Sequence, residues 1–98
     1  MPASPAHVLR AELQSWLCGF LAEELKLSRD AIDPGTPMTD YGLDSVAALS
    51  VLAEAEERVG FEIEPDALWE FPTVAAFTES LVGRMVAADA TISGDAPP

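Results

Sequence analysis

The sequence predicts an all-α domain, a small bundle of three main helices plus one short helix. Three observations carry that expectation. Apolar residues recur mainly at helical spacing. Prolines and glycines fall in clusters that cut the chain into segments, and no internal repeat is visible. A length of 98 residues, 49% hydrophobic and 22% charged, suits one domain with a single modest core.

The first helix is expected from about His7 to Leu25. Leu9, Leu13, Trp16, Leu17 and Phe20 fall on one arc when residues advance about 100° each, and that arc is the core face. Cys18 lies nearly opposite, beside Ala11, Gln14 and Ser15, which predicts a surface thiol without a role. As the single cysteine it cannot form an internal disulfide. The proline-containing stretch 1–6 and the Ala, Ser, Gly and Pro-rich stretch 87–98 read as flexible tails, leaving 7–86 as the folded domain.

From Lys26 to Leu43 the helical pattern breaks. Asp33-Pro34-Gly35 and Thr36-Pro37 cannot continue a helix, so a long loop is expected between helices 1 and 2, pinned by Leu27, Ile32, Met38, Tyr41 and Leu43. Loops longer than about 12 to 15 residues are uncommon in compact domains and are often functional.

The second helix is expected from about Asp44 to Val59, ending at Gly60, which accepts left-handed backbone angles. Ala48, Val51, Leu52, Ala55 and Val59 form its core arc. Val46, Leu49 and Ala53 make a second apolar strip, flanked by Ser50, Glu56 and Glu57. Wheel geometry allows this strip either to pack on another helix or to stay open as a partner-binding surface. Pro65 suits the first turn of a short helix through Trp69. Thr73 offers an N-cap for a last helix to about Val86, with Val74, Phe77, Leu81 and Met85 on one face.

The charge balance excludes some functions. Five Lys and Arg against 17 Asp and Glu give a formal net charge of -12, which repels nucleic acid and anionic membrane surfaces and favours basic protein partners. Between Asp33 and Glu70 ten carboxylates (Asp33, Asp40, Asp44, Glu54, Glu56, Glu57, Glu62, Glu64, Asp66, Glu70) face only Arg58, so the acidic field centres on the middle of the chain. No apolar run approaches the roughly 18 residues a membrane span needs. No charged-then-apolar leader precedes the folded part, and with one cysteine a cytoplasmic location is expected.

Self-contained catalysis has little to draw on. His7 stands at the ragged start of the first helix and is expected to be exposed and without a role, because a catalytic base needs an orienting partner. There is no Gly-x-Ser-x-Gly elbow, no phosphate-binding glycine loop and no metal-ligand spacing of His or Cys. One segment does offer chemistry: Asp40-Tyr41-Gly42-Leu43-Asp44-Ser45-Val46, where the long loop enters the second helix. Asp44 can accept a hydrogen bond from an unpaired first-turn amide, which places Ser45 in the first turn. A phosphate ester there benefits from the positive end of the helix dipole by about 0.3 to 1 kcal/mol.

An Asp-Ser capping pair alone is common. Gly42-Leu43-Asp44-Ser45, however, resembles the phosphopantetheine attachment motif of acyl and peptidyl carrier proteins, and the resemblance runs from about Leu9 to Val86. Ile32-Asp33-Pro34, Thr36-Pro37 and Asp40-Tyr41-Gly42 are similar to that family's loop before its second helix. Leu68-Trp69-Glu70-Phe71-Pro72-Thr73-Val74 is similar to the short-helix region of polyketide-synthase carriers.

The resemblance implies an acyl-carrier-like fold and a non-catalytic, monomeric protein. It further implies that a phosphopantetheinyl transferase, using coenzyme A and magnesium, attaches 4'-phosphopantetheine covalently to Ser45, with no resident metal. Asp44 would assist at the transferase interface. Leu43, Val46, Leu49 and Ala53, with Glu56 and Glu57, map to the partner-recognition face. Expected partners are adenylate-forming acyl ligases or synthase domains with basic docking surfaces. Val46 departs from the leucine most common after the serine. The run from Asp40 to Leu49 looks more like carriers of polyketide or hybrid secondary-metabolite pathways than like fatty-acid carriers. The alternatives are a peptidyl or aryl carrier of a nonribosomal pathway and an unmodified acidic helical adaptor.

Overall fold

In the computed structural model, which describes the backbone of residues 5–94 and the side chains of residues 8–87, the elements are helical. They are α1 (Pro5–Leu25), α2 (Ser45–Val59), the single-turn α3 (Ala67–Glu70) and α4 (Val74–Gly94). The expected all-α bundle of three main helices and one short helix is what the chain forms. The end of α2, at Arg58 and Val59, meets Leu9, Glu12 and Leu13 of α1 and Met85 of α4 around a small cavity. At the other end, loop residues leading into α2 are bonded to the start of α4. Helix α1 therefore runs opposite to α2 and α4.

The core gathers one stripe from each helix: Leu13, Leu17 and Leu21 of α1, Val51, Leu52 and Ala55 of α2, Leu68 of α3, and Val74, Phe77 and Leu81 of α4. Leu9, Trp16 and Phe20 flank it partly buried, with Trp16 stacked on Phe20 at 5.6 Å. Burying a leucine or phenylalanine side chain contributes about 1.5 to 3 kcal/mol, so the apolar stripes dominate the stability. One group opposes them: the Thr78 hydroxyl is fully buried in α4 without a hydrogen-bond partner within the described chain.

Five expectations are corrected here. Helix α1 begins at Pro5 rather than His7, because proline at a first helical position gives up an amide that would be unpaired anyway. The side chain of His7 and residues 1–4 lie outside the described residues. Pro65 stands in the turn before α3, which starts only at Ala67. Helix α4 runs eight residues past Val86, to Gly94: Ala87, Ala88 and Ala90 are the best helix formers and no proline intervenes.

The fourth correction concerns Cys18, which is 5% exposed and part of the core cluster. The loop lies over this side of α1. The Arg29 guanidinium donates to the Ser15 carbonyl at 3.1 Å and to its hydroxyl, and passes close to Gly19. Burial pushes the thiol above its ordinary value, Arg29 pulls it down and Asp33 raises it further.

The long loop is held rather than loose. Helix α1 closes with Leu27 N–H on the Ala22 carbonyl and Lys26 N–H on the Glu23 carbonyl, with Lys26 in the left-handed conformation. Two 3-10 turns follow, 29–31 and 38–41, the first capped by Ser28. Met38 is completely buried and Ile32 nearly so, while Leu27 is exposed instead of anchoring. Met38 N–H donates to the Pro72 carbonyl at 2.8 Å, and Ala75 N–H donates to the Pro34 carbonyl at 2.9 Å. Asp33 N–H donates to the Tyr41 hydroxyl at 2.7 Å. These bonds fix where the chain enters α2.

Candidate functional site

The approach to α2 is a sequence of three local devices. Gly42 closes the second 3-10 turn in a left-handed conformation, φ 97°, which side-chain-bearing residues adopt only at a cost. Leu43 then drops into the core at 6% exposure. Asp44 caps the helix: its backbone is extended, its carbonyl accepts from Ala48 N–H at 2.8 Å, and its Oδ1 accepts from Ala47 N–H at 2.9 Å.

Ser45 follows as the first residue of α2 and is exposed. The Asp44 carboxylate takes the Ala47 amide, so the amides of Ser45 and Val46 remain the first-turn donors without an intrahelical acceptor. A phosphodiester on the Ser45 oxygen fits this setting. The hydroxyl is open to solvent, the helix end is electropositive, and two amides are at hand. The adjoining Asp44 carboxylate is already engaged by the Ala47 amide.

Beyond Ser45 the strip that the wheel left undecided is open. Val46 is 75% exposed, Leu49 is 62% exposed and Ala53 is exposed, while Ala48, Val51, Leu52 and Ala55 take the core side. Glu57 is exposed beside the strip. Two residues expected on this face do other work. Leu43 is buried, because it precedes the cap and does not follow the helical wheel; it anchors the turn and presents no surface to a partner. The Glu56 Oε2 accepts from Ile63 N–H at 2.8 Å in a partly buried setting, tying the chain after α2 back to the helix. Gly60 makes that reversal in a left-handed conformation, φ 83°.

The acidic field owes its sign to the excess of carboxylates, 17 against five bases, and the arginines have local partners. Arg58 lies over the Trp16 ring at 5.0 Å and Arg84 over the Phe61 ring at 4.1 Å. Arg10 pairs with Glu79, the one ion pair among the described residues; that hydrogen bond holds the Glu79 carboxyl below its usual range. No cluster of His, Cys, Asp and Glu suited to a metal ion occurs among the described residues, and no described helix is long and apolar enough to cross a membrane. In the sequence Gly42 stands out only as part of the motif; the signal for its left-handed turn is a glycine just before a capped helix. Trp69, expected as the end of the short helix, is 47% exposed on α3.

The described residues thus form a small acidic helical bundle with Ser45 exposed at a helix start beside an open apolar strip. A family model described as the phosphopantetheine attachment site matches residues 15–81. The chain belongs to this family of phosphopantetheine-binding carrier domains, whose cofactor is 4'-phosphopantetheine.

Similar proteins include the acyl carrier protein TtuC of Teredinibacter turnerae, 29% identical over 73 residues, covering 74% of this chain and 84% of that protein. A phenolphthiocerol/phthiocerol polyketide synthase of Mycobacterium tuberculosis is 32% identical over 84 residues, 86% of this chain. The chain spans only 4% of that synthase's length. Among solved structures, a free-standing peptidyl carrier protein from a secondary metabolic pathway of Acinetobacter baumannii is similar with a TM-score of 0.75 and 37% identity. That match covers 78% of this chain and 95% of the other.

Proposed function

We propose that the chain carries an acyl or aryl cargo as a thioester on a phosphopantetheine arm attached to Ser45, passing it between enzymes of a polyketide or hybrid secondary-metabolite pathway. The observation that carries this reading is the exposed Ser45 hydroxyl at the capped start of α2, beside an apolar strip left open to solvent. The carrier unit spans 7–86 and acts in the cytoplasm as a monomer, with α4 continuing beyond the unit.

The roles divide by residue. Ser45 supplies the hydroxyl that, at a phosphopantetheinyl transferase, attacks the pyrophosphate of coenzyme A; the phosphodiester to the arm forms, the pyrophosphate bond breaks, and 3',5'-adenosine bisphosphate and the hydroxyl proton leave. The arm supplies the thiol that holds cargo. Asp44 fixes the serine's position through the cap and presents its charge to the transferase. Val46, Leu49 and Ala53, with Glu57 beside them, form the contact strip for basic partner surfaces, including an adenylate-forming ligase or synthase domains. Chemistry on the cargo is left to those partners. The polyketide relatives support the acyl reading, while the likeness to a peptidyl carrier protein favours a nonribosomal cargo as the second reading.

The test is intact-protein mass after incubation with coenzyme A, magnesium and a broad-specificity transferase. A gain of one arm on the native chain and none on Ser45→Ala is expected. No gain on the native chain overturns the carrier reading in favour of an unmodified adaptor. Loading the arm-bearing chain with panels of acyl and aminoacyl adenylating ligases then separates the two cargo classes.

A further inference from the structure

A second concave surface lies between α3 and α4 and shares no residue with the Ser45 strip. It encloses about 620 Å³. Its floor is apolar, formed by Ile63, Ala67, Phe71 and Leu81, and Glu64, Asp66 and Glu70 stand on its α3 side. Along α4 the wall is Ser80, Gly83, Arg84 and Ala87. Those positions are three, four and seven residues apart, one stripe running about 10 Å along the helix axis.

Gly83 is the telling residue. It sits inside a helix, where glycine costs about 1 kcal/mol relative to alanine. Nothing in the fold requires it: a Cβ at this position meets no atom within 4 Å, and its φ is not in the left-handed region. A bare stretch of backbone in a groove wall lets a second chain approach closely.

The charge says what kind of chain. Arg84, the one base on the wall, is committed to the Phe61 ring, and Glu79 to Arg10. Glu64, Asp66 and Glu70 are exposed and form no ion pair among the described residues. We propose that this groove is a second docking surface, taking a basic amphipathic helix of a partner protein. The helix seats a narrow apolar face over Gly83, Ala67 and Phe71 and sets Lys or Arg against Glu64, Asp66 and Glu70. Docking here leaves the α2 strip open, so one partner can tether the chain while another handles Ser45. The proposal does not depend on Ser45 being modified.

The test is an amide-shift titration of the full, isotope-labelled chain with a 16-residue synthetic peptide, leucine and alanine on one helical face and lysine and arginine on the other. The largest shifts are expected over 63–71 and 80–87. Gly83→Leu and the triple variant Glu64→Lys, Asp66→Lys, Glu70→Lys should each weaken binding at least about tenfold, by filling the groove and by reversing its charge. Gly83→Ala should bind like the native chain and melt higher. Ser45→Ala and Leu49→Ser should bind as the native chain does. Shifts centred on Val46 to Ala53, or native affinity in both groove variants, overturn the proposal. Arm attachment to Ser45 in the mass assay stays unchanged in the groove variants, so failure here and failure of the carrier reading are separately visible.

Discussion

Glu56 and Glu57 are neighbours in sequence with opposite jobs, and replacing each by alanine separates them. The Glu56 carboxylate accepts from Ile63 N–H at 2.8 Å in a partly buried site. Its removal leaves a backbone donor unpaired, which costs about 1 to 3 kcal/mol. At about 2.1 cal/mol/K per residue, a chain of this length has an unfolding entropy near 0.2 kcal/mol/K, so 1 kcal/mol moves Tm by roughly 5 °C. Glu56→Ala should therefore lower Tm by about 5 to 15 °C. Glu57 is exposed, and its substitution should stay within about 0.5 kcal/mol, or 2 to 3 °C. Its effect should fall on the rate of arm transfer, since the proposed function sets its exposed charge in the contact strip. Thermal melts followed by circular dichroism at 222 nm, paired with timed loading by coenzyme A and transferase, give both readouts. Equal Tm losses in the two variants, or a full-stability Glu56→Ala, would refute the assignment of Glu56 as a structural tie.

Other variants probe the same site and core. Leu43→Ala should destabilise by about 2 to 5 kcal/mol as a buried anchor, measured by urea denaturation, where a surface contact would leave stability unchanged. Gly42→Ala should cost about 1 kcal/mol or more from its left-handed φ and slow arm transfer by displacing the start of α2, read from the same melts and loading course. Thr78→Val should raise Tm by about 5 °C or more, because it replaces a buried, unpaired hydroxyl with a methyl group. Cys18 should resist iodoacetamide in the folded chain and react on unfolding in urea. With its thiol raised above the ordinary value in the fold, ionisation favours the unfolded chain, so its contribution to stability is present at neutral pH and lost as pH rises through the thiol range.

Much of this was legible in the residues because the signals are local. Asp44 and Gly60 bracket α2 with a cap and a left-handed terminator, and both act as expected, so the helix and the place of Ser45 follow from the sequence. The apolar arcs of α2 and α4 supply the core, while in α1 the buried stripe is Leu13, Leu17 and Leu21 and the expected Leu9, Trp16 and Phe20 flank it partly buried. What a helical wheel cannot see is what lies over a helix. Cys18 sits on the polar side of α1 and is buried because the loop around Arg29 crosses that side. A wheel also has no authority outside the helix: Leu43, one residue before the cap, turns inward while Val46 and Leu49 point out. Glu56 lay on the flank of the strip by spacing, but its reach to Ile63 depends on the chain doubling back at Gly60. The expected end of α4 at Val86 rested on small residues, and alanines extend a helix as readily as they fill a linker.

Whether Ser45 is the residue that bears the arm is decided most directly by tandem mass spectrometry of the chain after loading with coenzyme A, magnesium and transferase. The fragment series should place the added mass on Ser45 alone, leaving Ser50, five residues on and partly buried on α2, unmodified. Added mass on any other residue, or a loaded chain whose Ser45 peptide is unshifted, would contradict it.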